Sequence, residues 1–129
     1  MARINELVSP AIIISTFVLA LGVNATVGEN KTNELILPVN GTISQIQVKA
    51  KTGPIGADLI FDLNVDGISI WNINQNNRLK IEDGQLEGDQ TLFDITTLSE
   101  WNIFTVDIDQ VGSIVPGKTI TIILTIILS

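Results

Sequence analysis

The chain has 129 residues, a formal net charge of −7 and a pI of about 4.2, and it contains no cysteine, histidine or tyrosine. Without cysteine there is neither a disulfide nor a thiolate metal site, and without histidine no Ser-His-Asp or Cys-His centre can be built. Seven Lys and Arg against fourteen Asp and Glu leave no basic footprint for phosphate, so nucleic acid is not expected as a partner.

A chain of this length makes one domain with one core. Its mean hydropathy of +0.40 is high for a soluble domain, and Ile, Leu and Val carry the excess, since aromatics are only 5%. Some of that apolar surface is therefore expected to face another chain. Carboxylates and a few lysines are all that remain for catalysis. Paired carboxylates can cut glycosidic bonds, but nothing beyond the abundance of Asp points that way. The expectation is a protein that is not an enzyme and holds no cofactor and no metal.

The N-terminus has the outline of a secretory signal: Arg3, an apolar run from Ala11 to Val23, then Val23-Asn24-Ala25. Against this, Glu6 offsets the positive charge and Ser15 and Thr16 interrupt the run. Phe17, Leu19, Leu21 and Val23 continue into Ala25 and Val27 at period two. The run is also shorter than the roughly 20 residues of a membrane-crossing helix, and no membrane partner is expected. A retained signal or pilin-like anchor is the alternative. The preferred reading is extended structure over 12–27, an N-terminal arm that is followed by or merges into a first strand, with the globular domain at 28–129.

Short β-rich runs follow, separated by turn residues. Strands are expected at 34–39, 42–50, 57–65, 68–73, 78–81, 91–98, 102–108 and 118–129. In 42–50 the apolar alternation slips between Ile43 and Ile46, which predicts a bulge. About eight strands at this spacing predict an all-β, jelly-roll-like β-sandwich with an extended N-terminal arm.

Residues 62–67, Asp-Leu-Asn-Val-Asp-Gly, are spelled like the opening of an EF-hand calcium loop. The twelfth position, where a bidentate Glu is needed, is Ile73, and the flanks alternate with a strand period. Asp66-Gly67 between two β-rich runs predicts a hairpin with a type I′ turn instead. Asp107 and Asp109 share one face of a strand; a cation between them is the alternative to a solvated face.

The last strand carries Ile120, Ile122, Leu124, Ile126 and Leu128 on one face, with Ile123 and Ile127 among threonines on the other. Exposed at a sheet edge such a sequence aggregates. It belongs in the centre of a sheet or at a subunit seam. Candidate interface residues are thus Ile12, Ile13, Ile14, Phe17, Val18, Leu19 and Leu21 of the arm, with Ile123 and Ile127. Trp71 and Trp101 are candidate glycan or partner contacts, although tryptophan near a strand end in a sandwich is more often core or interface. Asn24, Asn30 and Asn40 each open a glycosylation-type triplet; turn duty is the preferred reading.

Two stretches carry a resemblance. Pro54 and Gly56, then Asp66-Gly67, lie in 51–71; Asp107 to Ser113, with Pro116-Gly117, lies in 104–124. This set of turns resembles β-sandwich modules of tailed-bacteriophage structural proteins, over about residues 39–125. The resemblance implies a non-enzymatic virion role, usually as a trimer. It fits a head decoration (cement) protein on the capsid surface, with its own copies and the major capsid protein or other virion proteins as partners. The alternative is a tail-fibre or baseplate module, or an extracellular lectin-like receptor-binding domain that recognises a glycan.

Overall fold

The computed structural model describes residues 13–129. Ten strands run in chain order: β1 (Ile14–Asn24), β2 (Leu35–Ile36), β3 (Gly41–Thr52), β4 (Leu59–Val65), β5 (Ile68–Ser69), β6 (Lys80–Ile81), β7 (Glu87–Gln90), β8 (Thr97–Leu98), β9 (Ile103–Gln110) and β10 (Lys118–Leu128). One sheet has the order β1-β10-β3, with β7 and β8 both along the far side of β3. The other has the order β2-β9-β4, with β5 and β6 along β4. The chain thus passes back and forth between the sheets, with β1 and β3 in the first and β2 in the second, then β4 to β6 in the second, β7 and β8 in the first, β9 in the second and β10 in the first, a jelly-roll-like antiparallel sandwich. The all-β fold expected from the sequence is the observed one. Among the described residues no helix is long and apolar enough to cross a membrane.

Period-two alternation builds the core. Leu59, Phe61, Leu63 and Val65 of β4 point inward and face Phe104, Val106 and Ile108 of its neighbour β9, while the residues between them are half-buried or exposed. On the opposite sheet Ile120, Ile122, Leu124 and Ile126 of β10 do the same beside Ile46, Val48 and Ala50 of β3. Each fully buried Val, Leu, Ile or Phe side chain among them contributes about 1.5–3 kcal/mol, and Ala50 less.

The slip in β3 is a bulge. Gln45 stands opposite Thr125 and Ile43 opposite Ile126, so Ser44 is the extra residue. The β4–β5 hairpin also forms: Val65 pairs with Ile68, and Asp66 and Gly67 have φ of 50° and 84°, both positive as a type I′ turn requires. Asp62 to Val65 is strand, not metal loop.

The last strand is central, flanked by β1 and β3. Its neighbour β1 is where the expected arm changes character. Residues 14–24 pair with β10 from Ile14↔Ile127 to Asn24↔Lys118, and Leu19 is fully buried. The second half of the expected 1–27 arm is thus a strand of the sandwich.

Several expected strands shrink: 34–39 to Leu35–Ile36, 68–73 to Ile68–Ser69, and 91–98 to Thr97–Leu98. The acidic stretch before Thr91, which lies outside every expected strand, supplies β7 against β3.

The two stretches behind the resemblance meet at one end of the molecule. Ile55 donates to the carbonyl of Val115 at 2.9 Å, and Ile114 donates back to that of Ile55 at 2.9 Å. The Pro54–Gly56 and Val115–Gly117 turns are therefore two halves of one structural unit.

Candidate functional site

Two surfaces stand out. The first is the flank made by β1 and β10. Register places Ile14 beside Ile127, Thr16 beside Thr125, Val18 beside Ile123 and Ala20 beside Thr121 on the outer face. Ile14 and Val18 are more than half exposed, at 57% and 53%, and Ile127 is 37% exposed. Charge avoids this flank: no charged residue lies between Ile13 and Gly28, and Lys118 alone lies beyond Gln110. Strands β1 and β10 themselves carry Lys118 as their one charge; on the side toward β3, Thr121 stands beside Lys49 and Ile123 borders the groove of Lys49, Glu87 and Asp89, so the strip is least charged along β1.

Within β1 the candidate interface residues divide by strand parity, and Ile13, just before the strand, is exposed outside that pattern. Ile13, Ile14 and Val18 are exposed, Ile123 is half-buried on the same outer face, and Ile127 is at its margin. Phe17, Leu19 and Leu21 point the other way: Leu19 is in the core, and Phe17 and Leu21 pack against it. Those three are structural within the subunit, because a strand paired on one side must send every second side chain inward. Ile12 lies outside the described residues.

Among the described residues β1 is also the edge of its sheet. The amide of Ala20 points away from β10 and donates to Oδ1 of Asn33 at 2.9 Å. Asn33 was no candidate from the sequence, since nothing local links it to a strand thirteen residues earlier.

The second surface is the loop before β9. Trp101 is 73% exposed and sits at φ 77°, a left-handed conformation that is costly for a bulky residue. Hydrogen bonds hold it there. Trp101 N–H donates to Leu37 O at 2.7 Å, Glu100 N–H to Asn40 Oδ1 at 2.8 Å, and Ser99 N–H to Asn102 Oδ1 at 2.7 Å. Asn102 Nδ2 and Ile103 N–H both donate to the Asp66 carboxylate of the β4–β5 turn, at 2.7 and 2.9 Å. The indole is thus presented to solvent by a loop whose backbone is fixed from several sides.

Trp71, the other candidate contact, is fully buried. Its indole N–H donates to Leu92 O at 2.7 Å, and its ring lies 6.1 Å from that of Phe93. It is core, and no glycan reaches it. The two tryptophans part company through partners far along the chain, which no local pattern announces.

The acidic outer face of the second sheet is internally satisfied. Asp107 accepts from Asn30 N–H at 3.0 Å and Asn64 Nδ2 at 2.9 Å, and Asp109 pairs with Arg78 at 2.6 Å. Asp62 accepts from the Ser69 hydroxyl. Burial pushes the Asp62 carboxyl above the ordinary carboxylate range, and Asp109 and Asp107 push it further, against the downward pull of Ser69 and Arg78. Among the described residues no group of three or more acidic side chains is arranged to hold a metal. Asp107 and Asp109 make a solvated, hydrogen-bonded face.

The polar loop 74–77 forms a short 3₁₀ turn, Gln75–Asn77, pinned by Asp94. That carboxylate accepts from the N–H groups of Asn74 and Ile73 and from Asn74 Nδ2, which hold it below its ordinary range. An open groove of about 650 Å³ runs over the first sheet between Gln45, Gln47, Lys49 and the carboxylates of Glu87 and Asp89. It has no aromatic ring in its lining.

No protein-family model matches the chain, and no curated protein matches it in sequence. Among solved structures it is similar to a chain of the cyanophage Pam1 capsid asymmetric unit, at TM-score 0.47 and 11% identity, covering 99% of this chain and 94% of that one. It is also similar to a family 35 carbohydrate-binding module from Clostridium thermocellum, at TM-score 0.44 and 14% identity, covering 95% and 100%. Part of the serine protease of Aeromonas sobria matches at TM-score 0.51 and 11% identity over 94% of this chain, which spans 28% of that protein. At such identity the protease likeness concerns the sandwich fold alone; this chain has no histidine with which to build a serine-protease triad.

Proposed function

We propose that the protein is a non-enzymatic virion structural protein, a decoration (cement) protein that binds a phage head through the outer face of β1 and β10. The observation that carries this reading is the nearly uncharged apolar strip Ile14, Val18, Ile123 and Ile127 on a strongly acidic molecule. Exposed apolar area of this kind marks a protein–protein surface. The resemblance of its turns to phage sandwich modules supports a virion partner over others, with the major capsid protein as the surface it covers. Co-sedimentation with purified heads tests it. Val18→Lys and Ile127→Lys, both at exposed positions, should keep the fold and weaken head binding about tenfold or more. Wild-type binding by both variants would overturn it.

A second reading has its own observation, the rigidly presented indole of Trp101. A glycan-binding module would use that ring as a stacking platform without Trp71. Titration with cell-wall polysaccharide, with Trp101→Ala as control, decides between the two: saturable binding lost in the variant favours the glycan module.

A further inference from the structure

The open edge of β1 has a shape and chemistry that match themselves. We propose that two copies of the chain join edge to edge through β1, antiparallel about a two-fold axis at Thr16, so that their first sheets become one continuous sheet. This does not depend on the virion reading, which uses the outer face of the same strands and leaves the edge free.

Strand parity identifies the groups involved. Leu128 N–H bonds to Ile13 O, so Ile13 faces β10 and Ile14 faces the edge. Ala20 N–H also faces the edge, and no register shift falls between Ile14 and Leu21. The N–H and C=O groups of Ile14, Thr16 and Val18 therefore all point outward, each ready for a narrow antiparallel pair that exchanges two hydrogen bonds. Among the described residues, the one hydrogen bond made to this edge is that of Asn33 at Ala20.

Asn33 also sets the register. Centring the pairing on Thr16 places Ile14 against Val18 of the second copy and Thr16 against its own equivalent, and the described residues of the second copy end at Ile13, one short of the position opposite Ala20. A centre at Val18 would bring the capped Ala20 amide opposite Thr16 and break the Asn33 bond. The cross-strand pairs that result, Ile with Val and Thr with Thr, are β-branched partners that stabilise antiparallel sheets.

Charge leaves this edge as the place where a second copy can approach. Two molecules of net charge −7 repel, and they can approach closely only where charge is absent. From Ile13 to Asn24 there is no charge, no proline and no lysine, the usual defences of an edge strand. The bulge that twists β1 away from its partner comes only after Leu21, beyond the open stretch. Two-fold pairing of this kind departs from the trimer that the resemblance implies.

The test is a charge exchange at the axis. Thr16→Lys and Thr16→Glu each place like charges against each other across the two-fold, while the side chain stays on the exposed face. Sedimentation equilibrium of the full chain should show a dimer for the wild type and association weakened about tenfold or more for each variant alone. An equimolar mixture of the two variants should recover the dimer, with circular dichroism confirming that each variant is folded. A wild type that stays monomeric, for instance because residues 1–12 occupy the edge in cis, would overturn the proposal. So would a wild-type trimer, or variants that dimerise alone as well as together.

Discussion

The carboxylate of Asp66 accepts the side-chain amide of Asn102 at 2.7 Å, which ties the β4–β5 turn to the loop that carries Trp101. Both Asp66 and Trp101 have positive φ, so two costly backbone conformations support each other across the end of the sandwich. Asp66→Ala removes the acceptor for Asn102 and Ile103 and places a residue poorly suited to φ 50° in the turn. A loss of about 1–2 kcal/mol is expected in urea unfolding. Asp66→Asn, which tolerates that φ and retains one acceptor oxygen, should lose less than half as much.

The tryptophans should respond oppositely to truncation. Trp71→Ala empties a fully buried site and leaves Leu92 O without its donor, so a loss of about 3–5 kcal/mol is expected. Trp101→Ala removes a side chain that is 73% exposed and should change stability by about 0.5 kcal/mol or less. Thermal melts of the two variants side by side check this.

Two carboxylates give pH dependence of opposite sign. Asp62 is raised, chiefly by burial, so the folded chain holds its proton more tightly than the unfolded chain. Its effect is a loss of stability that develops as pH rises from the ordinary carboxylate range through the raised value. Asp62→Asn, which keeps an acceptor for Ser69, should therefore raise Tm at about pH 7 and leave it unchanged at about pH 3. Asp94 is lowered, first by the Asn74 backbone N–H, and its contribution is present above the ordinary range and lost as pH falls through the lowered value. Asp94→Asn should lower Tm at neutral pH, with the difference closing on acidification.

What was legible in the sequence follows from how each strand is buried. β4, β9 and β10 each have one dry and one wet face, and their apolar residues alternate accordingly. The Ser44 bulge appears as a slip in that alternation. β7 has no such signal, because Glu87-Gly88-Asp89-Gln90 contains no large apolar residue. It is a strand because the open edge of β3 supplies backbone partners from Ile46 to Lys49. Gly88 allows the approach of another strand: a Cβ there would fall 1.9 Å from the carbonyl of Lys80. The surfaces were half legible. Apolar excess in the N-terminal run was visible, but its division into Leu19 inward and Val18 outward needed the pairing with β10, and the Asn33 cap needed the fold.

Because β1 is a paired strand and not a free arm, deletion of residues 2–27 should abolish the cooperative thermal transition. The truncation removes Leu19 from the core and exposes the long apolar edge of β10. A truncated protein that keeps its β circular-dichroism signal and melts cooperatively would show that β1 is dispensable.

The central claim is that this sandwich covers a phage head with its apolar flank. Quantitative mass spectrometry of purified virions, with heads and tails separated, tests it most directly. The account predicts this chain on the heads at a copy number comparable to that of the major capsid protein. Its absence from heads, or its presence at only the few copies typical of a tail-tip component, would contradict the account.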